Sequence, residues 1–323
     1  MKQPEAWPVL VVEPDRARLI SGVSSFLFEG PLGPSPRERT QLLEDAELAL
    51  ARNDRESLPL LAWQAPAGTG SEFLKVVETH AVRAGGLRVA GSYHENLPFE
   101  ALGKGATYWI DHFSVLRLPE EGAPRSTAVP PSMPRILIVG NSASESPAGE
   151  LTHVRTEAQE IAEAFLSIEE KSLPEAQVRL LLRTPGEHEF TQLMAEHDIC
   201  FYLGHGRRIG GFPAVLLQEG WCPLISEAGG HTSENRLVVF GACLEGEGRL
   251  RFPGSGAAVY PIARLADRAS VMLPTLARAL AAGDPIWKAF ARACAEDRQS
   301  GDIRRLLFRL QGAADLQPIR TED

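Results

Sequence analysis

A histidine and a cysteine, each placed where an apolar run stops, are the residues of this chain best suited to covalent chemistry. Asp198-Ile199-Cys200-Phe201-Tyr202-Leu203-Gly204-His205-Gly206 is one run, ending on glycine, histidine, glycine. Leu237-Val238-Val239-Phe240-Gly241-Ala242-Cys243 is the other, ending on cysteine. An imidazole beside a thiol can hold the sulfur as thiolate and later protonate a leaving amine. The glycines flanking His205 let a backbone approach closely, and the amides of Gly206 and Cys243 are the expected oxyanion donors. Taken singly, His205 suits an ordinary strand-end histidine, and Cys243 suits a small buried apolar residue. It is the pair that points to chemistry.

Such a pair works only if two strands bring it together. Short continuous apolar runs bounded by turn residues suit strands buried on both faces of a parallel sheet. In an open α/β sheet the ligand crevice lies outside the carboxyl ends of the strands. Around the two runs the pattern alternates: strand 135–140, helix 153–167, strand 178–182, helix 187–196, strand 199–203. The first of these helices carries Ala158, Ile161, Ala162, Phe165 and Leu166, an amphipathic stripe. Val215–Cys222 reads as a hairpin turned at Glu219-Gly220. Strands at 236–242 and 256–262 follow, then helices at 270–282 and 284–298, the second capped by Asp284 with Pro285 in its first turn. Residues 1–118 carry their own alternation: a strand at Val9–Val12, an apolar stretch at Leu19–Phe28, a helix from Ser35 to about Asn53, and a strand at Leu58–Trp63. A helix opening at Thr69 and a strand at Leu87–Gly91 follow. Residues 119–134, with five prolines, read as a linker. The expected organisation is therefore a smaller N-terminal α/β subdomain over 1–118, a linker over 119–134, and a second subdomain over 135–323.

Composition narrows the function classes. A chain of 323 residues, 44% hydrophobic and 23% charged, has ample core for a globular protein. A net charge of −9 argues against a nucleic-acid footprint, which needs a clustered basic face. No apolar run approaches the ~20 residues of a membrane span, and the first residues lack a signal-peptide core. Cys200, Cys222, Cys243 and Cys294 show no Cys-x-x-Cys spacing, so neither a zinc site nor another cofactor is expected, and a reducing cytoplasm is the expected compartment. The turn after strand 135–140, Gly140-Asn141-Ser142-Ala143-Ser144, lacks both a P-loop lysine and the dinucleotide glycine pattern.

The His-Gly after one strand and the Ala-Cys ending a later one resemble the caspase-like cysteine peptidases. More narrowly they resemble the CHAT domains, bacterial relatives of caspases and separase. Asn96-Leu97-Pro98-Phe99-Glu100-Ala101-Leu102, Arg135-Ile136-Leu137-Ile138-Val139-Gly140 and the Asp284–Arg298 helix agree, so that the resemblance covers roughly residues 59–310. The usual family segment after the cysteine is Glu-Thr-Gly, whereas this chain has Leu244-Glu245-Gly246. The resemblance implies a caspase-like, mostly parallel sheet flanked by helices, and a thiol protease of bacterial signalling or defence with His205 and Cys243 as its dyad. It also implies a protein or peptide substrate and an activating protein or ligand that orders the loops.

Three carboxylates cluster in sequence about the expected pocket: Glu245, Glu247 and Asp267. Asp267 falls where CHAT domains often carry an aspartate, and an acid at the base of a narrow pocket selects arginine or lysine. Each also has an ordinary reading as a solvated loop residue, and Asp267 as a cap of the 270–282 helix or the partner of an arginine. Two other functions stay open at this point: a catalytically silent interaction module on the same fold, and a small-molecule hydrolase or transferase using the same dyad.

Overall fold

The computed structural model describes residues 6–30, 32, 41, 69–91, 103–104, 107–118, 134–142, 150–167, 178–209, 212–224, 237–243, 256–261, 267, 270–302 and 304–312. Among them the chain begins with β1 (Val9–Glu13), β2 (Arg16–Ser21), β3 (Ser24–Glu29), α1 (Thr69–Ala84) and β4 (Gly86–Ala90). The short strands β5 (Gly103–Lys104) and β6 (Thr107–Tyr108), a 3-10 turn at Trp109–Asp111 and β7 (Ser114–Arg117) follow. Next come β8 (Ile136–Gly140), α2 (Val154–Leu166), β9 (Val178–Leu181), α3 (Glu187–Glu196), β10 (Ile199–Gly204), β11 (Gly206–Ile209), β12 (Phe212–Leu217) and β13 (Gly220–Pro223). The last elements are β14 (Leu237–Ala242), β15 (Ala257–Pro261), α4 (Met272–Ala281), α5 (Ile286–Gln299), a 3-10 turn at Arg304–Leu306 and β16 (Phe308–Gly312).

The architecture is α/β. One 11-stranded sheet runs in the order β3-β2-β1-β4-β7-β16-β15-β14-β10-β8-β9. Its pairings are parallel except β1–β2, β2–β3 and β15–β16. The strands before residue 118 and after residue 135 thus share one sheet, joined where β16 runs antiparallel to β15 and parallel to β7. Around the two runs the order β9-β8-β10-β14-β15 reverses direction between β8 and β10. That is the switch point at which doubly wound sheets leave a crevice.

Period-2 alternation decides what covers each face. Ile136, Ile138, Ile199, Phe201, Leu203, Leu237 and Val239 pack with the apolar sides of α2, α4 and α5. Leu137, Val139, Cys200, Tyr202, Val238 and Phe240 point the other way, against α3 and the hairpin strands β12 and β13. Every residue of β8 and β10 is therefore buried, which is why both read as unbroken apolar runs. Phe165 of α2 meets Phe201 edge to face at 5.9 Å, and burying each such ring contributes about 1.5–3 kcal/mol. A smaller core forms where α1 sets Phe73, Leu74, Val77 and Ala81 on β1, β2, β4 and β7. Among the described residues no helix is long and apolar enough to cross a membrane.

Several elements depart from expectation. Leu19–Phe28 is a hairpin rather than one stretch, because Gly22 takes φ +59° and turns β2 into β3. The last long helix begins at Ile286 with no side-chain cap. The Asp284 carboxylate pairs instead with Lys288 at 2.7 Å and Arg292 at 2.6 Å. Most of the helix expected from Ser35 and the whole of the strand at 58–63 lie outside the described residues.

Candidate active site

Three neighbouring strand ends build the site. β10 pairs with β8 on one side and with β14 on the other, both in parallel register. Gly204 and Ala242 are Cα partners in strands spaced about 4.8 Å apart, and His205 and Cys243 are the next residue on each. Both side chains are half-buried and line one cleft that opens to solvent. Helix α2 supplies Val154 and Glu157 to its wall, preceded by Leu151 and His153. Ser270, Leu273, Arg304 and Phe308 come from the C-terminal elements.

The backbone that carries His205 is held from below by a buried polar hub. Asn141, the first residue past β8, is fully buried. Its Nδ2 donates to the Leu216 carbonyl at 2.7 Å and to the Tyr202 hydroxyl at 3.3 Å, and its Oδ1 accepts from Thr184 Oγ1 at 2.6 Å. The Leu216 amide in turn donates to the His205 carbonyl at 3.2 Å. A buried network whose members satisfy one another fixes geometry, because each unmade bond carries a desolvation cost. Burial pushes the Tyr202 hydroxyl well above its ordinary pKa, so it stays protonated and able to donate.

Of the residues singled out in the sequence, the structure brings His205, Cys243 and Asp267 to the same cleft. Gly206 is buried in β11 opposite Val215 and is not among the residues that line the cleft. Glu245 and Glu247 lie outside the described residues. The exposed Asp267 carboxylate does not cap the helix that follows it. Its Oδ2 accepts from the Thr152 amide at 2.6 Å and the Thr152 hydroxyl at 3.0 Å, and its Oδ1 from the His153 amide at 3.2 Å. Asp267 thereby anchors the chain entering α2, at the end of a helix where a negative charge is favoured.

The other thiols are set apart by burial. Cys200 sits within β10, where burial pushes its thiol far up. Cys222 is raised to about 11, chiefly by burial with Glu187 adding to it. Cys294 is buried against α4, and none of the four cysteines forms a disulfide. Only Cys243 combines partial exposure with a place at the cleft. Among the described residues no three His, Cys, Asp or Glu side chains come together as metal ligands.

Sequence reading missed Glu157. It occupies the first turn of α2 and lies four residues before Ile161, so the helical period places it on the edge of the buried stripe. That spacing was the available signal. Burial raises its carboxyl to about 7, opposed by Arg304 and reinforced by Glu160, Asp267 and Asp302. Comparison with protein-family models gave no match, and comparison with curated proteins gave none.

Proposed function

We propose that this chain is a cysteine endopeptidase of the caspase-like, CHAT type, with His205 and Cys243 as its dyad. The observation that carries the reading is that these two residues end adjacent parallel strands and line a single cleft. His205 takes the proton of the Cys243 thiol, and the sulfur adds to the scissile carbonyl of a bound peptide. Collapse of the tetrahedral adduct breaks the C–N bond as the imidazolium returns its proton to the leaving amine. Water, deprotonated by the same imidazole, then hydrolyses the thioester and restores the thiol. The Cys243 amide is the donor assigned to the oxyanion, since Gly206 does not line the cleft.

The protein acts in a reducing cytoplasm, where the thiol stays available, and an activating protein or ligand sets its active-site loops. Full activity of the isolated chain with no addition would count against that activation. The test of the function itself is incubation of the purified chain with a peptide library, wild type against Cys243→Ala. Cleavage by the wild type that disappears in the variant is the expected result. Cleavage that survives Cys243→Ala overturns the mechanism.

A further inference from the structure

The strand that leaves the histidine carries a second surface. β11 begins one residue after His205, and the Leu216 amide on the His205 carbonyl carries the β11–β12 register back to the histidine itself. Side chains alternate between the two faces of a strand. In the sheet β11-β12-β13, Val215, Leu217 and Cys222 face the core shared with β8, β10 and α3. The register sets the opposite face: Arg207 and Ile209 of β11, Phe212 and Leu216 of β12, Trp221 and Pro223 of β13. Counting by twos along the chain puts Arg207 and Ile209 on the side of His205. The apolar residues of that face are all partly exposed, and none belongs to any of the three cores. Arg207 is exposed, and its Cζ lies 4.3 Å from the centre of the Trp221 ring. Ala214, the small residue that β12 pairs with Arg207, leaves room for the arginine stem to cross toward β13. An apolar, aromatic face with one ordered cation thus continues the cleft side of the dyad.

We propose that this face docks the substrate, taking an extended segment in which an aspartate or glutamate sits among aromatic or branched apolar residues. This rests on reading the cleft as a peptidase site. Charge complementarity names the acid. Among the described residues no carboxylate forms an ion pair with Arg207, and its planar fork matches a carboxylate. The ring of Trp221 holds the guanidinium in place before a ligand arrives, so little side-chain freedom is lost on pairing. The half-exposed Phe212, Leu216 and Trp221 name the neighbours of that acid, because covering them removes apolar surface from water. Position names the substrate rather than a remote partner. Arg207 stands two residues from His205, roughly 7 Å along the strand, so a segment lying on this face runs directly into the cleft. The acid therefore falls a few residues from the bond that is cut, and it is read outside the cleft.

The experiment pans a phage-displayed library of random dodecapeptides against the full chain carrying Cys243→Ala. Enriched peptides should carry an acid beside an aromatic or branched apolar residue. In fluorescence polarisation the leading peptide should bind about fivefold more tightly than its copy with the acid replaced by the matching amide. Adding Arg207→Gln, a change at an exposed position, should erase that margin, whereas Trp221→Ala should weaken both peptides. Enrichment of basic peptides, a margin that survives Arg207→Gln, or no enriched peptide overturns the proposal. The leading peptide is then incubated with the wild-type chain, where cleavage a few residues from the acid is expected. A peptide that stays whole and instead speeds the cleavage of others would mark the face as an activator's seat and overturn substrate docking. Arg207-dependent binding with no turnover of any peptide removes the peptidase reading and keeps the binding surface. Turnover that is equal in wild type and in Arg207→Gln removes the docking surface and keeps the dyad.

Discussion

The Tyr202 hydroxyl donates to the backbone carbonyl of His205 at 3.2 Å, tying the histidine that ends β10 to a side chain three residues back in the same strand. The same hydroxyl lies 3.1 Å from the Leu216 carbonyl and accepts from Asn141, so one proton and one lone pair serve three segments. Tyr202→Phe removes that link without opening a cavity. It should cost about 1–2 kcal/mol of stability, since Asn141 loses an acceptor, and lower kcat while KM stays near wild type. Denaturant midpoints and steady-state kinetics on a cleaved peptide check this. A variant with wild-type midpoint and wild-type kcat would show that the brace does not position His205.

The thiols give a second expectation. Cys200 and Cys294 are buried, and burial raises Cys222 to about 11, whereas Cys243 opens on the cleft. Iodoacetamide at neutral pH should therefore mark Cys243 first, with Cys200 and Cys294 reacting only on unfolding. Peptide mapping of a time course by mass spectrometry resolves the order. If Cys243 reacts no faster than Cys222, the proposed nucleophile is an inert packing residue, and the silent interaction module becomes the better reading of the fold.

Much of the sheet was legible because its central strands are buried on both faces. Leu137 and Ile138 in β8, and Phe201 and Tyr202 in β10, face opposite cores yet are equally apolar, so continuous runs marked these strands and their ends marked the site. Two of the strands that escaped, β7 and β16, carry arginine at buried positions. Arg117 closes β7 and Arg309 lies within β16, each 1% exposed, and polar side chains at core positions break the pattern that identifies a strand. β11 opens Gly206-Arg207-Arg208 and is held by pairing to β12 rather than by its own hydrophobicity. Glu157 escaped for a related reason. An acid next to an amphipathic stripe reads as solvated unless the helix is known to end in a cleft.

Gly140, the last residue of β8, permits the close approach of α2 that puts Glu157 at the cleft. A Cβ there would stand 2.7 Å from the Ala158 Cβ and 3.1 Å from Leu182 Cδ2. Gly140→Ala must therefore push the start of α2 off the sheet, and overpacking of this kind costs about 1–3 kcal/mol. The expected result is a lower melting temperature, read by thermal unfolding of the variant beside wild type. Unchanged stability would mean that α2 yields freely, and that its position is not set by contact with β8.

Asp297 gives the stability of the fold a pH dependence of definite sign. It is fully buried on α5, where its Oδ2 accepts from the Arg305 amide at 3.0 Å and lies 3.6 Å from the Arg305 guanidinium. That guanidinium is held at 2.7 Å by Asp111, which binds the N-terminal half of the sheet to the C-terminal turn. Burial raises the Asp297 carboxyl to about 6, with the Arg305 amide opposing. A group whose folded pKa exceeds its unfolded value is protonated longer in the folded chain, so stability falls as pH rises from about 4 to about 6 and then levels. The contribution is at most about 3 kcal/mol. Glu157 acts in the same direction over about 4.5 to 7, so the comparison is made between Asp297→Asn and wild type at each pH. Asparagine keeps the acceptor for the Arg305 amide and removes the titration. The variant should match wild type near pH 4 and gain on it through pH 6 in urea unfolding. A variant that loses ground over that interval would show that the ionised Asp297–Arg305 pair outweighs the cost of burying it.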